Sequence, residues 1–137
     1  MIQLLKAHMC ICWQGHVKPV HSASFSPHGN RLVTGGADNT IRIWDLRKRR
    51  IEHVIAGHTS LVSDAAFEPE FGRVLFSSSF DGTARLWAVD GGFDSGSTCL
   101  RTLAGHDGKV TGSAILGGGG LAVTAGYDRT VKLWRPL

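Results

Sequence analysis

Short apolar runs, each followed by an alternation of hydrophobic and polar residues, occur three times along this 137-residue chain. The runs are "RLVTGG", "RVLFSSS" and "LAVTAG", and the alternating segments that follow them are "TIRIW", "TARLW" and "TVKLW". Asp-Asn, Asp-Gly or Asp-Arg lies between the two, and Asn and Gly tolerate the left-handed backbone angles of tight turns. The pattern therefore predicts three β-hairpins.

A further strand is predicted before every hairpin, and another before every Gly-His pair. "HSASFS", "SDAAF" and "TGSAIL" precede the hairpins, while "HMCICW", "EHVIA" and "CLRTLA" precede a Gly-His pair. The predicted fold class is all-β, with three four-stranded units of which the last lacks its outer strand. The predicted boundaries are an outer strand of a preceding or closing unit in 1–13, followed by units in 14–55, 56–103 and 104–137.

Four polar residue types recur at fixed spacing in every unit. Each Trp has an Asp six residues before it, a Ser or Thr four residues before that Asp, and a His further upstream. The His-to-Asp separations are 22, 23 and 22 residues. The three sets are His16, Thr34, Asp38 and Trp44; His58, Ser77, Asp81 and Trp87; and His106, Thr124, Asp128 and Trp134.

These residue types can form a directional chain of hydrogen bonds. A Trp indole N–H only donates, a hydroxyl both accepts and donates, and a neutral His accepts on one nitrogen and donates from the other to a carboxylate. A Ser-His-Asp catalytic triad is normally a single constellation with an oxyanion hole, whereas here three copies each include a Trp. The tetrads are therefore predicted to be structural, and no catalytic residue is expected.

A repeat period in the forties with Gly-His and Trp signatures resembles the WD-repeat (WD40) family. The resemblance covers nearly the whole chain and implies that each unit is a four-stranded blade of a β-propeller. Closed propellers use about four to eight blades, so three blades imply an open, partial propeller. We expect either that blades are missing from this chain or that a second copy is needed to close the ring.

Some segments between the tetrads resemble one class of WD-repeat protein in particular. "WDLRKRR", "FEPEFG" and "YDRTVKLW" are similar to the C-terminal blades of WD-repeat subunits of the U4/U6 small nuclear ribonucleoprotein. That resemblance implies a non-enzymatic scaffold in pre-mRNA splicing, located in the nucleus, that binds splicing-factor proteins and lies near U4 snRNA, with direct contact to that RNA left open. Two alternatives stay open: "WDLR" also resembles the pattern by which substrate receptors dock to a cullin-RING ubiquitin ligase adaptor, and a general WD-repeat scaffold would need neither partner.

The resemblance also implies which residues reach the narrow top face of the propeller, where partners bind. They are the residue before each tetrad Asp and a residue near the start of each first strand: Ala37, Phe80, Tyr127, Pro19, Leu61 and Lys109. Two of the six are aromatic, a type enriched at binding hot spots. The alternative is that Phe80 and Tyr127 pack against neighbouring loops.

Charge and composition refine this interpretation. The formal net charge is +4, and Arg47, Lys48, Arg49 and Arg50 form a basic run between the third and fourth predicted strands. Such a run is either a solvated hairpin or a phosphate contact whose binding depends on salt. "LGGGG" at 116–120 lacks the Lys-Ser or Lys-Thr of a phosphate-binding loop and is predicted to be a turn, and "DGGFDSGST" at 90–98 is predicted to be a solvated insertion.

Three cysteines, Cys10, Cys12 and Cys99, are an odd number without the spacing of a metal knuckle. We expect reduced thiols in the core, no bound metal and no cofactor. No segment has the length and apolar character of a membrane span.

Overall fold

The computed structural model describes residues 12–89 and 98–136 of the chain. Strands β1 to β4 form the first antiparallel sheet in sequential order, and their bounds are Val20–Phe25, Arg31–Gly36, Thr40–Asp45 and Arg50–Ala56. The second sheet has the same order, with β5 to β8 at Val62–Phe67, Val74–Ser79, Thr83–Ala88 and Thr98–Ala104. The third sheet contains β9 to β11 at Val110–Ile115, Ala122–Gly126 and Val131–Trp134. A short 3-10 turn, Gly117–Gly119, joins β9 to β10.

The all-β prediction is confirmed, with two four-stranded sheets and a third sheet of three strands in the described part of the chain. The predicted hairpins correspond to β2–β3, β6–β7 and β10–β11. Each of their turns contains one left-handed residue: Asn39 (φ 68°), Gly82 (φ 87°) and Arg129 (φ 64°). The residue boundaries predicted for the three units remain a prediction.

The three sheets pack face to face in series. One face of each sheet carries the tetrad Trp, and the opposite face carries other apolar residues. Val33, Ile41 and Ile43 of the first sheet form a core with Trp87 of the second. Phe76 and Leu86, on the other face of the second sheet, pack with Ile115 and Ala122 of the third sheet and with the partly buried Trp134.

The first strands of the sheets lie next to one another, since β1 contacts β5 and β5 contacts β9. The Ser63 hydroxyl donates to the carbonyl of Val110 at 2.6 Å, which links β5 directly to β9. This convergence of inner strands, with outer strands at the periphery, is the arrangement of blades in a propeller.

The prediction that the cysteines are core thiols is wrong for Cys12 and Cys99, which are free and exposed. Cys99 lies in β8, an outer strand that is mostly exposed along its length. An alternation of apolar residues does not distinguish an outer strand from an inner one, and this caused the error.

Several predictions fall on parts of the chain outside the described residues. Cys10 and most of the strand predicted for residues 8–13 belong to this group, as does all but the last residue of the predicted insertion at 90–98. Trp13 is described, and its ring centroid lies 5.5 Å from that of Trp44. No helix in the described ranges has the length and apolar character to cross a bilayer.

Candidate functional site

In the second sheet, a continuous chain of hydrogen bonds joins the four tetrad residues. The Trp87 indole Nε1–H donates to Ser77 Oγ at 2.9 Å, and Ser77 Oγ lies 2.8 Å from His58 Nε2. The His58 Nδ1 atom lies 2.8 Å from Asp81 Oδ2. The chain therefore links β7, β6, the segment entering the sheet and the β6–β7 turn.

The first and third sheets contain the same arrangement. Thr34 Oγ1 is 2.9 Å from Trp44 Nε1 and 2.7 Å from His16 Nε2, and His16 Nδ1 is 3.0 Å from Asp38 Oδ2. In the third sheet the corresponding distances are 2.8, 2.7 and 2.9 Å, among Trp134, Thr124, His106 and Asp128.

Burial and hydrogen bonding set the protonation of these groups. Burial lowers the pKa of His58, so its imidazole is neutral at physiological pH. Burial by itself would raise the pKa of Asp38, but hydrogen bonds from Thr40, His16 and the Val17 amide hold that pKa at about 2. Burial likewise opposes ionisation of Asp81, and bonds from Thr83 and His58 more than offset it, so its pKa is lowered. In the second sheet, His58 is thus a neutral donor to the ionised carboxylate of Asp81.

Sequence reasoning missed a fifth participant, the Thr two residues after each tetrad Asp. The Thr83 hydroxyl donates to Asp81 Oδ1 at 2.7 Å, and its backbone N–H donates to the same oxygen at 2.9 Å. Thr40 and Thr130 make the equivalent pair of bonds in the other two sheets. The signal was visible in the sequence as "DNT", "DGT" and "DRT".

The tetrads do not have the geometry of a reactive site. Ser77 is completely buried, and its hydroxyl already accepts from Trp87 and donates to His58. A nucleophile needs access to its substrate and a place for the developing oxyanion. The hydrogen-bonded tetrad therefore stabilises each sheet, and the candidates for function are side chains at the surface.

The residues predicted to reach the top face form three equivalent pairs at one end of the sheets. We call this the upper end; it is the end with the β2–β3, β6–β7 and β10–β11 turns. In each pair, a backbone N–H donates to a carbonyl of the segment before the first strand at 2.8 to 2.9 Å. The pairs, donor first, are Ala37 with Pro19, Phe80 with Leu61, and Tyr127 with Lys109.

Three of these residues form a cluster across the boundary between the second and third sheets. The ring centroids of Phe80 and Tyr127 are 5.9 Å apart, at an interplanar angle of 48°. Lys109 Nζ lies 4.9 Å from the Phe80 centroid and 5.5 Å from the Tyr127 centroid. Phe80 is half-buried, whereas Tyr127 is 64 % exposed. We call these three residues the upper cluster.

The basic run lies at the opposite end of the first sheet, which we call the lower end. Arg47, Lys48, Arg49 and Arg50 are all exposed. The backbone N–H groups of Arg47 and Lys48 donate to Asp45 Oδ1 at 2.9 Å, and Arg49 is left-handed with φ 54°. The structure therefore separates the two sets of predicted partner residues instead of uniting them in one site.

Sequence reasoning also missed Glu68, a carboxylate at the lower end that is only 1 % exposed. It accepts hydrogen bonds from the backbone N–H groups of Phe71 at 2.6 Å, Glu70 at 3.0 Å and Gly118 at 3.0 Å. Burial opposes its ionisation, but these bonds lower its pKa. Because Gly118 belongs to the turn between β9 and β10, Glu68 connects the second sheet to the third by a hydrogen bond.

Comparison with known proteins places the chain among repeat proteins that are much longer than it. It is 34 % identical over 123 residues to Protein tipD of Dictyostelium discoideum, and this alignment covers 89 % of this chain and 19 % of the relative. It is 37 % identical to Protein Notchless of Drosophila melanogaster, over 88 % of this chain and 33 % of the relative. For Transducin beta-like protein 3 of Mus musculus the identity is 34 %, over 87 % of this chain and 14 % of the relative.

Three stretches of the chain match the WD40 family, described as "WD domain, G-beta repeat": residues 5–45, 49–88 and 97–135. Members of this family are generally non-catalytic scaffolds that mediate protein–protein interaction. Each matched stretch contains one buried polar tetrad and its hairpin. The chain belongs to the WD40 repeat family.

Proposed function

We propose that this chain is a protein-interaction scaffold and that its upper cluster is the partner-binding surface. The observation that carries the proposal is the packing of Phe80, Lys109 and Tyr127 across the boundary between two sheets, with the Tyr127 ring 64 % exposed. Aromatic residues dominate binding hot spots because they bury a large area while losing few rotamers.

The backbone supports a pre-organised surface at this point. The N–H groups of Phe80 and Tyr127 are hydrogen-bonded to the segments before β5 and β9, and the Lys109 ammonium lies over both rings. A surface that is already ordered loses less conformational entropy on binding. The ammonium beside the exposed Tyr127 ring favours a partner segment that combines an apolar anchor with a carboxylate.

For the identity of the partners, we propose splicing-factor proteins of the U4/U6 small nuclear ribonucleoprotein and a nuclear location. This proposal rests on the likeness of "WDLRKRR", "FEPEFG" and "YDRTVKLW" to the blades of that particle's WD-repeat subunits. None of the relatives named above is named as a splicing factor, so the scaffold role rests on the WD40 family and the splicing role is the narrower proposal.

Affinity capture from nuclear extract tests both the proposed binding surface and the proposed identity of the partners. We expect tagged full-length chain to retain spliceosomal proteins and U4 RNA, and we expect Tyr127→Ala and Phe80→Ala each to weaken retention by roughly tenfold. Val54→Ala, which changes an exposed residue of outer strand β4, is the matched control and should leave retention unchanged.

Two outcomes contradict different parts of the proposal. Recovery of a ubiquitin ligase adaptor in place of spliceosomal proteins, with the same dependence on Tyr127, would overturn the splicing role and keep the surface. Equal retention by wild type, Tyr127→Ala and Val54→Ala would overturn the upper cluster as the binding surface.

A further inference from the structure

A polar cavity of about 340 Å³ lies at the lower end, between the first and second sheets. Ser26 and His28 of the β1–β2 turn form one wall together with Arg31, the first residue of β2, and the loop between β5 and β6 forms the other with Phe71 and Arg73. A cavity of this size, with an aromatic ring and several hydrogen-bonding side chains in its walls, suits a planar heterocycle that carries polar edges.

Phe71 and Arg73 together provide a stacking element in this cavity. The Arg73 guanidinium carbon lies 5.2 Å from the Phe71 ring centroid, and Phe71 is 50 % exposed. Aromatic rings and guanidinium planes are the groups on which unstacked nucleobases pack. Neither residue belongs to the upper cluster, so this feature is separate from the proposed protein-binding surface.

The basic run adjoins the same cavity. The N–H of Leu46, in the β3–β4 turn, donates to the carbonyl of Asn30 at 3.1 Å, and Asn30 itself lines the cavity. The exposed cations Arg47, Lys48 and Arg49 follow directly in the chain. A phosphate backbone that leaves the cavity toward the first sheet would therefore meet consecutive positive charges.

Most carboxylates at the lower end already bond to other groups of the protein. Asp45 accepts two backbone N–H groups of its own turn, Glu52 is paired with Arg31 at 2.9 Å, and Glu68 is buried against three backbone amides. Glu70 is exposed and lies beside Gly117, on the side toward the third sheet. Arg47 to Arg50 supply four exposed cations against the one carboxylate of Asp45, so the surface at the β3–β4 turn carries a net positive charge.

We propose that the lower end of the first two sheets binds single-stranded RNA, with one base in the cavity against Phe71 and the adjoining phosphates along Arg47 to Arg50. A single strand is required because bases in a duplex are stacked and do not enter a side pocket. The Ser26 hydroxyl donates to Asn30 Oδ1 at 3.0 Å and accepts from the Arg31 N–H at 3.1 Å, which orients the Asn30 amide. The NH₂ group of that exposed amide can donate to the ribose 2′-hydroxyl. An acidic peptide would satisfy the cations but offers no planar base for Phe71.

Fluorescence anisotropy with a labelled single-stranded oligouridine and the full chain tests this inference. We expect Arg47→Gln to reduce the slope of log affinity against log salt by about 0.7, the value for one phosphate contact on a single strand. Phe71→Leu should weaken binding by about tenfold at constant salt slope, because it removes stacking without removing charge. Lys18→Gln makes the same charge change on an exposed residue at the upper end and should alter neither quantity.

Thermal unfolding midpoints of the variants should match that of the wild type, which confirms that each is folded. Equal effects of Arg47→Gln and Lys18→Gln, or no effect of Phe71→Leu, would overturn the proposed site and leave only non-specific attraction to a basic chain. Equal affinity for the corresponding DNA strand would overturn the assignment to RNA, and stronger binding of poly-glutamate would show that the partner is an acidic polypeptide.

Discussion

Asp81 has more hydrogen-bond donors than the sequence pattern suggested. It accepts from His58 Nδ1, from both the hydroxyl and the N–H of Thr83, and from the N–H of Thr59. Bonds to a charged acceptor are stronger than neutral ones, and a buried donor that loses its acceptor keeps its full desolvation cost. The Asp is therefore the residue on which the rest of the tetrad depends.

Replacing Asp81 by Ala should lower the free energy of unfolding by about 1–3 kcal/mol, because His58 loses its partner. Urea denaturation followed by tryptophan fluorescence measures the change. Asp107→Ala, which removes an exposed Asp from the loop before β9, should stay within about 0.5 kcal/mol of the wild type. An unchanged midpoint for Asp81→Ala would show that the tetrad does not stabilise the second sheet.

The sequence pattern located the tetrad residues because their roles are repeated three times at nearly constant spacing. It did not find Glu68, because that carboxylate has no equivalent at the same spacing in the other units and its partners are backbone amides. It also misplaced Cys99, since an exposed outer strand and a buried inner strand can share one alternation of residue types. Contacts between elements, such as the Phe80–Tyr127 pair, depend on how the sheets meet and are not encoded in the period.

At the scale of elements, the second and third sheets are joined at both ends by specific contacts. The upper cluster spans the boundary at one end, and the bond from Gly118 N–H to Glu68 spans it at the other. Glu68 also organises the β5–β6 loop through Phe71, which places that ring in the cavity of the lower end. One buried carboxylate thus supports a sheet boundary and a surface loop together.

Glu68→Gln should destabilise the chain by about 1–3 kcal/mol at neutral pH, because the introduced amide donor must face at least one backbone N–H. The folded-state pKa of Glu68 is lowered, so its contribution is complete above the unfolded-state pKa near 4.5 and is lost as pH falls through the lower folded value. The wild type should therefore lose more stability on acidification than Glu68→Gln.

Denaturant midpoints between pH 7 and about pH 3 measure this difference. Glu70→Gln, in the same loop but exposed, is the matched control and should keep the wild-type pH dependence. Parallel pH profiles for wild type and Glu68→Gln would contradict the conclusion that an ionised Glu68 carboxylate stabilises the contact between the second and third sheets.

At the scale of the whole molecule, the two outermost faces of the series of sheets are chemically complementary. Leu133 in the third sheet occupies the position before the tetrad Trp, where Ile43 and Leu86 are completely buried, yet it is 69 % exposed. Phe25, on the Trp-bearing face of the first sheet, is 68 % exposed, whereas Phe67 at the same position in the second sheet is 5 % exposed. Each face matches one half of an interface that the chain already forms internally.

The isolated chain should therefore associate head to tail through these two faces, and Leu133→Lys or Phe25→Lys should each weaken association by about tenfold or more. Sedimentation velocity over a range of concentrations measures the effect. Val54→Lys, on an outer strand with a similarly exposed apolar residue, should leave association unchanged. A monomer at every concentration for the wild type would contradict this prediction.

The tetrad carboxylates also give each sheet a separate kinetic reporter. The backbone amides of Val17, Thr59 and Asp107 lie in exposed residues, yet each donates to the Asp of its own sheet at 3.1 to 3.2 Å. Such an amide exchanges its hydrogen for deuterium only when its hydrogen bond to that carboxylate breaks. The exchange rates of the three amides therefore report the opening of the three sheets separately within one molecule. The amide that exchanges first identifies the sheet that opens first.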